Sequence, residues 1–250
     1  MTNPVRLARR TRTALTIAVT VGLAAPAAAS ALNVYAAASL REVFTQIDAN
    51  PTYNFAASNT LQLQIERGAP ADVFASASPQ EAQALFKGNN CERPVTFATN
   101  KLVLIVPKGN PARIKSVYTL RKGGFKLAVG SSGVPIGSYT RTLLRRLGLS
   151  NVLKDNTVSQ ESSVANVVSK VALGSADAGF AYVTDAKIAN DRTDQIRLPR
   201  YAQPPVRYQI CAVKRSGADS SGARGFIAKV RSDRGRGLLK TAGFGLPPKG

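Results

Sequence analysis

At 250 residues, the chain is long enough for one large domain or two modest domains with a real core. It contains no histidine, which excludes Ser-His-Asp and Cys-His catalysis and every histidine-ligated metal site. Its formal charge of +20 comes from lysines and arginines that are scattered and not interleaved with aromatic residues. This pattern argues against nucleic-acid binding and favours long-range attraction of small anions.

The N-terminus has the organisation of a secretory signal peptide. An apolar run over 14–25, too short to span a bilayer comfortably, is followed by two small-x-small patterns, Ala27-Ala28-Ala29 and Ala29-Ser30-Ala31. Four basic residues precede the apolar run: Arg6, Arg9, Arg10 and Arg12. We therefore predict a signal peptide over 1–31 and an exported mature chain, periplasmic or extracytoplasmic, whose formal charge is +16. We expect no membrane span after it.

The chain has two cysteines, Cys91 and Cys211. In an oxidising compartment they could pair and close a loop of about 120 residues, which would contribute roughly 4–5 kcal/mol in the chain-entropy model. Two separate buried thiols are an equally good interpretation. The sequence leaves both open.

The first predicted elements share one arrangement. A strand over 32–38 ends in small residues, and Ser39 follows it as the predicted cap of a short helix over 40–47. Next, an extended run over 53–57 is followed by Ser58-Asn59-Thr60. These small polar residues again stand where a strand gives way to a helix.

The segment that follows completes a βαβ unit. Its helix, predicted over 61–67, ends at Gly68, and a second strand is predicted over 73–77. The free N–H groups and partial positive charge at a helix N-terminus can hold an anion. From these residues alone, Ser58 and Thr60 either cap the helix or contribute to such an anion site.

The remaining elements continue to alternate. Helices are predicted over 79–86, 138–147, 164–171, 226–230 and 235–242. Strands are predicted over 95–100, 102–106, 125–129, 178–183, 195–198 and 207–213. This alternation predicts an α/β fold with mainly parallel sheets.

Small or hydroxyl residues open a helix after at least four predicted strands. They are Ser39, Ser58, the loop 134–138 and the corner 182–185. In open α/β sheets, ligands bind outside the carboxyl ends of the strands. Several helix N-termini that meet there predict a neutral site that holds an anion through oriented N–H and O–H donors.

A series of segments resembles the periplasmic molybdate-binding proteins of ABC transporters, which have the type 2 periplasmic-binding fold. The matching segments are Val34-Tyr35-Ala36-Ala37-Ala38-Ser39-Leu40, Ala57-Ser58-Asn59-Thr60-Leu61, Gly68-Ala69-Pro70-Ala71-Asp72-Val73-Phe74, Ala98-Thr99-Asn100-Lys101-Leu102-Val103, Val134-Pro135-Ile136-Gly137 and Tyr182-Val183-Thr184-Asp185-Ala186. With Ser232, Gly235, Leu239 and Gly243-Phe244, which match last, they occur in order over nearly the whole predicted mature chain.

The resemblance implies two lobes with the ligand cleft between them: 32–97 plus 198–250 as lobe I, and 98–197 as lobe II. It also implies a monomeric transport receptor with no cofactor and no enzymatic activity, which delivers molybdate or tungstate to a membrane permease. The oxyanion would be held without direct metal ligands by Ser39, Ser58, Ile136, Val164 and Tyr182.

Three alternatives stay open at this point. The same fold could bind sulfate or another small anion. A secreted hydrolase would need a nucleophile–base pair, which is not evident in the sequence. A basic surface-interaction protein would use the C-terminal cations Arg224, Lys229, Arg231, Arg234 and Arg236.

Overall fold

The computed structural model describes residues 1–2 and 31–247, without the side chains at 157 and 158. The chain forms two units, 1–30 and 31–250, and the fold described below is that of the second. The predicted signal peptide lies almost entirely outside the described residues. Within the described part, no helix combines the length and the apolar character that crossing a membrane requires.

The described strands form two five-stranded sheets. The first sheet contains β1 (Asn33–Ala37), β2 (Thr52–Ala56), β3 (Val73–Ser76), β4 (Val95–Asn100) and β10 (Val206–Ala212). The second contains β5 (Leu102–Pro107), β6 (Leu127–Gly130), β7 (Thr157–Glu161), β8 (Ala178–Tyr182) and β9 (Thr193–Arg197). The chain passes from one sheet to the other at Lys101, between β4 and β5, and returns over 198–205.

Both sheets have the same kind of strand order, β2-β1-β3-β10-β4 in the first and β7-β6-β8-β5-β9 in the second. Three neighbouring strands in each are parallel, and one strand, β10 or β5, pairs antiparallel with both of its neighbours. Four of the five strands in each sheet therefore run in one direction, as the prediction of mainly parallel sheets requires. Each reversed strand is the one by which the chain enters that sheet at a crossing: β5 after Lys101 and β10 after 198–205.

Helices cover the sheets. They are α1 (Arg41–Ile47), α2 (Ser58–Glu66), α3 (Pro79–Lys87), α4 (Pro135–Arg146), α5 (Val152–Asn156), α6 (Val164–Ala172), α7 (Val183–Ile188), α8 (Ser220–Arg231) and α9 (Asp233–Ala242). Short 3-10 turns occur at Ala38–Leu40, Val117–Lys122 and Arg200–Ala202.

Three helices begin at least three residues earlier than predicted. The first is α2, which was predicted from 61 and begins at Ser58. We expected a helix over 138–147, but α4 begins three residues earlier, because Pro135 occupies the first turn, where its missing N–H costs nothing. We expected α8 to cover 226–230, but it begins at Ser220, since the Asp219 side chain accepts a hydrogen bond from the Gly222 N–H and caps the helix.

The strands are apolar because helices cover them. Every residue of β3 and of β8 is buried, the pattern expected of strands with both faces covered. Edge-to-face aromatic contacts continue through the core of the first sheet, where Phe44 contacts Phe226 and Tyr208 contacts both Phe97 and Phe244. This packing fixes the strand ends from which the site is built.

The two cysteines lie in one small apolar cluster. Cys91 and Cys211 are free and buried, and they pack with Leu61, Phe74 and Leu85. A hydrogen bond with the Cys91 thiol, and then burial, raises the pKa of Cys211. The structure thus brings two free, buried thiols together, and both interpretations of the sequence, a disulfide and two thiols, stay open.

Candidate functional site

A small cavity lies where the ends of three strands of the first sheet face the starts of two helices on the second. Its lining residues are Ala37, Ala38, Ser39, Ala56, Ala57, Ser58, Ala77, Val134, Pro135, Ile136, Ser163, Val164 and Tyr182. The space open to the centre of a water-sized sphere is about 20 Å³. One water needs about 10–15 Å³ on this measure, so the cavity fits a compact ion and not a large organic molecule.

All five residues predicted to bind the ligand line this cavity. Ser39, Ser58, Ile136, Val164 and Tyr182 come from five separate segments of the chain, 143 positions apart at the extremes. We call Ser39 and Ser58, together with the lining residue Ala77, the first wall; all three follow strands of the first sheet. We call the other three predicted residues, Ile136, Val164 and Tyr182, the second wall.

The serines of the first wall do not cap helices. Ser58 is the first residue of α2, and its Oγ accepts a hydrogen bond from the Ala77 N–H at 3.0 Å. The prediction that Ser39 caps a helix is wrong, because α1 begins at Arg41 after Leu40, which makes no side-chain cap. Ser39 Oγ lies 2.9 Å from the Tyr208 hydroxyl instead. Each serine hydroxyl therefore makes a hydrogen bond within the protein, and both residues line the cavity.

The second wall presents backbone N–H groups at helix starts. Ile136 is in the first turn of α4 and Val164 is the first residue of α6, positions whose N–H groups have no acceptor inside the helix. Ser163 caps α6 by accepting from the Asn166 N–H, which leaves the Val164 N–H free for a ligand. The two helix N-termini add partial positive charge at the cavity.

Gly137 brings the start of α4 close to the end of β6. A Cβ at this position would overlap the carbonyl oxygens of Ser131 and Gly130. Only a residue without a side chain permits this approach of helix to strand. The position of the Ile136 N–H thus depends on the glycine that follows it.

Tyr182 completes the second wall with a side-chain donor. It is 1% exposed, and its hydroxyl is a buried polar atom that has no hydrogen-bond partner in the described part of the chain. Burial raises the pKa of Tyr182 well above its usual value, so the hydroxyl keeps its proton. A buried O–H without a partner costs free energy, and a ligand with acceptor atoms would recover it.

None of the described residues that line the cavity has a charged side chain. Asp185 lies three residues after Tyr182, and burial raises the pKa of its carboxyl to about 7. Within the described residues, no group of histidine, cysteine, aspartate and glutamate side chains is arranged to hold a metal ion. The chemistry of the cavity is that of neutral hydrogen-bond donors, which suits a fully ionised oxyanion with only acceptor oxygens.

Sequence reasoning missed the residues behind the first wall. Tyr208 in β10 contacts Ser39, and Asn100 at the end of β4 contacts Tyr208. Asn100 lies inside one of the segments that carry the family resemblance, which is a signal that could have drawn attention to it. Tyr208 lies in no such segment, and only the pairing of β10 with β3 and β4 brings it to the site.

The chain is similar to a family of known proteins and to several individual proteins. The family model for bacterial extracellular solute-binding proteins matches residues 15–245. The molybdate-binding protein ModA of Mycobacterium tuberculosis (strain ATCC 25618 / H37Rv) is 38% identical over 229 residues, 88% of this chain and 86% of that protein. The molybdate-binding protein ModA of Haemophilus influenzae is 33% identical over 252 residues, 93% of this chain and 96% of that protein.

Among solved structures, the periplasmic molybdate-binding protein of Azotobacter vinelandii superposes with a TM-score of 0.76 at 24% identity, covering 87% of this chain and 100% of that one. This similarity confirms the predicted fold class, a two-lobed α/β periplasmic-binding architecture.

Proposed function

Because this chain belongs to the family of bacterial extracellular solute-binding proteins, we propose that it captures molybdate or tungstate outside the cytoplasm and delivers it to the membrane permease of an ABC transporter. The ligand in this proposal comes from the two molybdate-binding relatives, which cover most of the chain. The five residues that would hold it are Ser39, Ser58, Ile136, Val164 and Tyr182. The protein acts in this role as a binding protein and not as an enzyme.

The observation that carries the proposal is the unpaired hydroxyl of Tyr182. This buried donor belongs to a cavity whose other polar groups are hydroxyls and helix N-terminal N–H groups from two separate sheets. An oxyanion would accept from all of them at once. Charge-assisted hydrogen bonds of this kind are about twice as strong as neutral ones, so no buried arginine is needed.

The donor set also accounts for selectivity. A phosphate that still carries a proton would meet no acceptor among the five residues and would leave its own donor unpaired. Sulfate is smaller than molybdate and would leave some contacts long. The proposal therefore favours the larger, fully ionised oxyanions.

Delivery requires a change of shape, and we propose hinge closure of the two lobes around the ligand. The predicted lobes are 32–97 with 198–250 and 98–197; because β4 belongs to the first sheet as far as Asn100, this proposal moves the first boundary to Lys101. The hinge would lie where the chain passes between the sheets, at Lys101 and over 198–205. Closure buries the ion and gives the permease a surface that differs between the loaded and empty receptor.

The alternative of a basic interaction surface gains no support from the C-terminal segment. Lys229 binds Asp48 at 2.6 Å, and Arg224 binds Glu92 at 2.5 Å. Arg236 donates to the Pro247 carbonyl. Three of the five cations are thus engaged within the protein.

Titration calorimetry of the mature protein with molybdate, tungstate, sulfate and phosphate tests the proposal. We expect molybdate and tungstate to bind much more tightly than sulfate, and phosphate to bind weakly or not at all. Tight binding of sulfate without binding of molybdate would overturn the ligand assignment. Native mass spectrometry of protein purified with trace oxyanion gives an independent measurement, because retained molybdate and retained sulfate differ plainly in mass.

A further inference from the structure

Behind Ser39 of the first wall lies a chain of buried hydrogen bonds whose other members do not line the cavity. Ser39 Oγ is 2.9 Å from the Tyr208 hydroxyl, and the Tyr208 hydroxyl is 3.4 Å from Asn100 Nδ2. Tyr208 is fully buried and Asn100 is 7% exposed. The chain connects the cavity to the point at which β4 leaves the first sheet.

A serine hydroxyl has one proton, so it can donate to a ligand only if that proton is not used elsewhere. For Ser58 the direction is settled by its partner: the Ala77 N–H can only donate, so Ser58 Oγ accepts it and keeps its own proton for the cavity. For Ser39 the partner is another hydroxyl, and either oxygen could be the donor. Something else must decide whether Ser39 offers the ligand a proton or a lone pair.

The Asn100 amide supplies that decision. Its Oδ1 accepts the Lys101 N–H at 2.9 Å, which fixes the orientation of the amide. Its Nδ2 then points to Thr184 Oγ1 at 3.0 Å and to the Tyr208 hydroxyl. Because an amide NH2 only donates, the Tyr208 oxygen accepts from it and the Tyr208 proton is directed to Ser39 Oγ.

We propose that Asn100 and Tyr208 set the direction of the Ser39 hydroxyl, so that Ser39 presents its proton and not a lone pair to the bound oxyanion. Tyr208 is in this sense a positioning residue. By donating to Ser39 Oγ it leaves the Ser39 proton for the ligand, as the Ala77 N–H does for Ser58. The inference rests on the proposed function of the cavity as an oxyanion site. It adds to that site two residues, Asn100 and Tyr208, that do not line the cavity.

The arrangement has a consequence for selectivity. If Ser39 were free to turn, its lone pair could accept a hydrogen bond from a protonated oxyanion such as hydrogen phosphate. With Tyr208 donating to it, Ser39 has its proton available for the ligand and so favours an ion without protons. Loss of the Tyr208 hydroxyl should therefore weaken molybdate binding more than phosphate binding.

The test is a double-mutant cycle measured by calorimetry with molybdate, using the mature protein and the variants Tyr208→Phe, Ser39→Ala and both together. We expect Tyr208→Phe alone to weaken binding about five- to tenfold. In the Ser39→Ala background, the same change should weaken it by less than about twofold, because the group through which Tyr208 acts is gone. The molybdate-to-phosphate affinity ratio should fall in Tyr208→Phe.

Tyr53→Phe is the matched control, since the Tyr53 hydroxyl donates to the Phe44 and Asp48 carbonyls and Tyr53 does not line the cavity. It should leave molybdate affinity unchanged. Should Tyr208→Phe fail to fold, Asn100→Leu replaces it in the same cycle, because it removes the amide that directs the Tyr208 proton.

Equal losses from Tyr208→Phe in the two backgrounds would overturn the inference, as would no loss in the wild-type background. In both cases the unmutated protein still binds molybdate and the proposed function stands. If the unmutated protein binds none of the oxyanions, the proposed function fails and this inference with it.

Discussion

The two walls of the cavity offer the same kind of donor by different means. The first wall uses the side-chain hydroxyls of Ser39 and Ser58, each held by a hydrogen bond from within the protein. The second uses the N–H groups of Ile136 and Val164, which the geometry of two helix starts directs, and the single hydroxyl of Tyr182. Side-chain donors disappear with a substitution, whereas backbone donors survive one and depend on the position of the helix. The walls should therefore respond very differently to mutation.

The largest effect is expected in the first wall, from Ser58→Ala. It removes a donor to the oxyanion and leaves the buried Ala77 N–H without its acceptor. Affinity for molybdate should fall about 10- to 100-fold, and stability by about 1–3 kcal/mol. Calorimetry and urea unfolding measure the two effects. Thr60→Ala, at an exposed position in the same helix, is the control and should change neither.

In the second wall, Gly137→Ala should act by displacing the helix that carries the Ile136 N–H. The added methyl group overlaps the carbonyl oxygens of Ser131 and Gly130, so the start of α4 must move. We expect a loss of about 1–3 kcal/mol in stability and about a tenfold loss in molybdate affinity. Gly225→Ala in α8 meets no atom within 4 Å and should be neutral or stabilising. Unchanged binding by Gly137→Ala would mean that the helix start does not hold the ligand.

Tyr182→Phe, in the second wall, should change the stability of the empty protein and its affinity for molybdate in opposite directions. The hydroxyl has no partner among the described residues, so removing it should raise the stability of the empty protein by about 1 kcal/mol. The same change should weaken molybdate binding about tenfold, because the ligand loses a donor. Thermal unfolding with and without molybdate measures both. A variant that is destabilised when empty would contradict the unpaired state of this hydroxyl.

Asp185, just after the second wall, should make stability depend on pH. Burial raises the pKa of this carboxyl from 3.8 to about 7, so between these values the folded protein holds a proton that the unfolded chain has lost. The contribution of this carboxyl to the free energy of unfolding therefore falls as the pH rises from 3.8 to about 7, by at most about 1.4 kcal/mol per pH unit. Asp185→Asn does not titrate. Its stability relative to the wild type should therefore increase from pH 4 to pH 7 and then level off in urea unfolding; a constant difference would refute the assignment.

The smallest effect is expected from Ile136→Val, which keeps the backbone N–H of the second wall. Loss of a buried methylene should cost about 0.5–1.5 kcal/mol in stability. Molybdate affinity should change by less than about twofold, as calorimetry would show. A large loss would show that the side chain, and not its N–H, contributes to binding. The contrast with Ser58→Ala is the sharpest measure of the difference between the walls.

Part of the site could be predicted because two of its hydroxyl residues directly follow predicted strands in the sequence. Ser39 and Ser58 follow strands in the sequence, and the order of strand and helix predicted the fold class correctly. The role of Ser39 as a helix cap was wrong, since nothing local shows that its oxygen has a partner 169 positions away. The early start of α4 was missed because Pro135 is as typical of a loop as of a first helical turn.

The sequence by itself determined the alternation of strands and helices, the absence of histidine chemistry and the small polar residues at the strand ends. Each of these is a local property that periodicity and composition determine. Only the tertiary structure decided that β10 lies between β3 and β4, which places Tyr208 behind Ser39. It alone also decided that the Tyr182 hydroxyl has no partner within the part of the chain that the structure describes. Strand order and hydrogen-bond direction depend on contacts between residues far apart in the chain, and no local pattern specifies them.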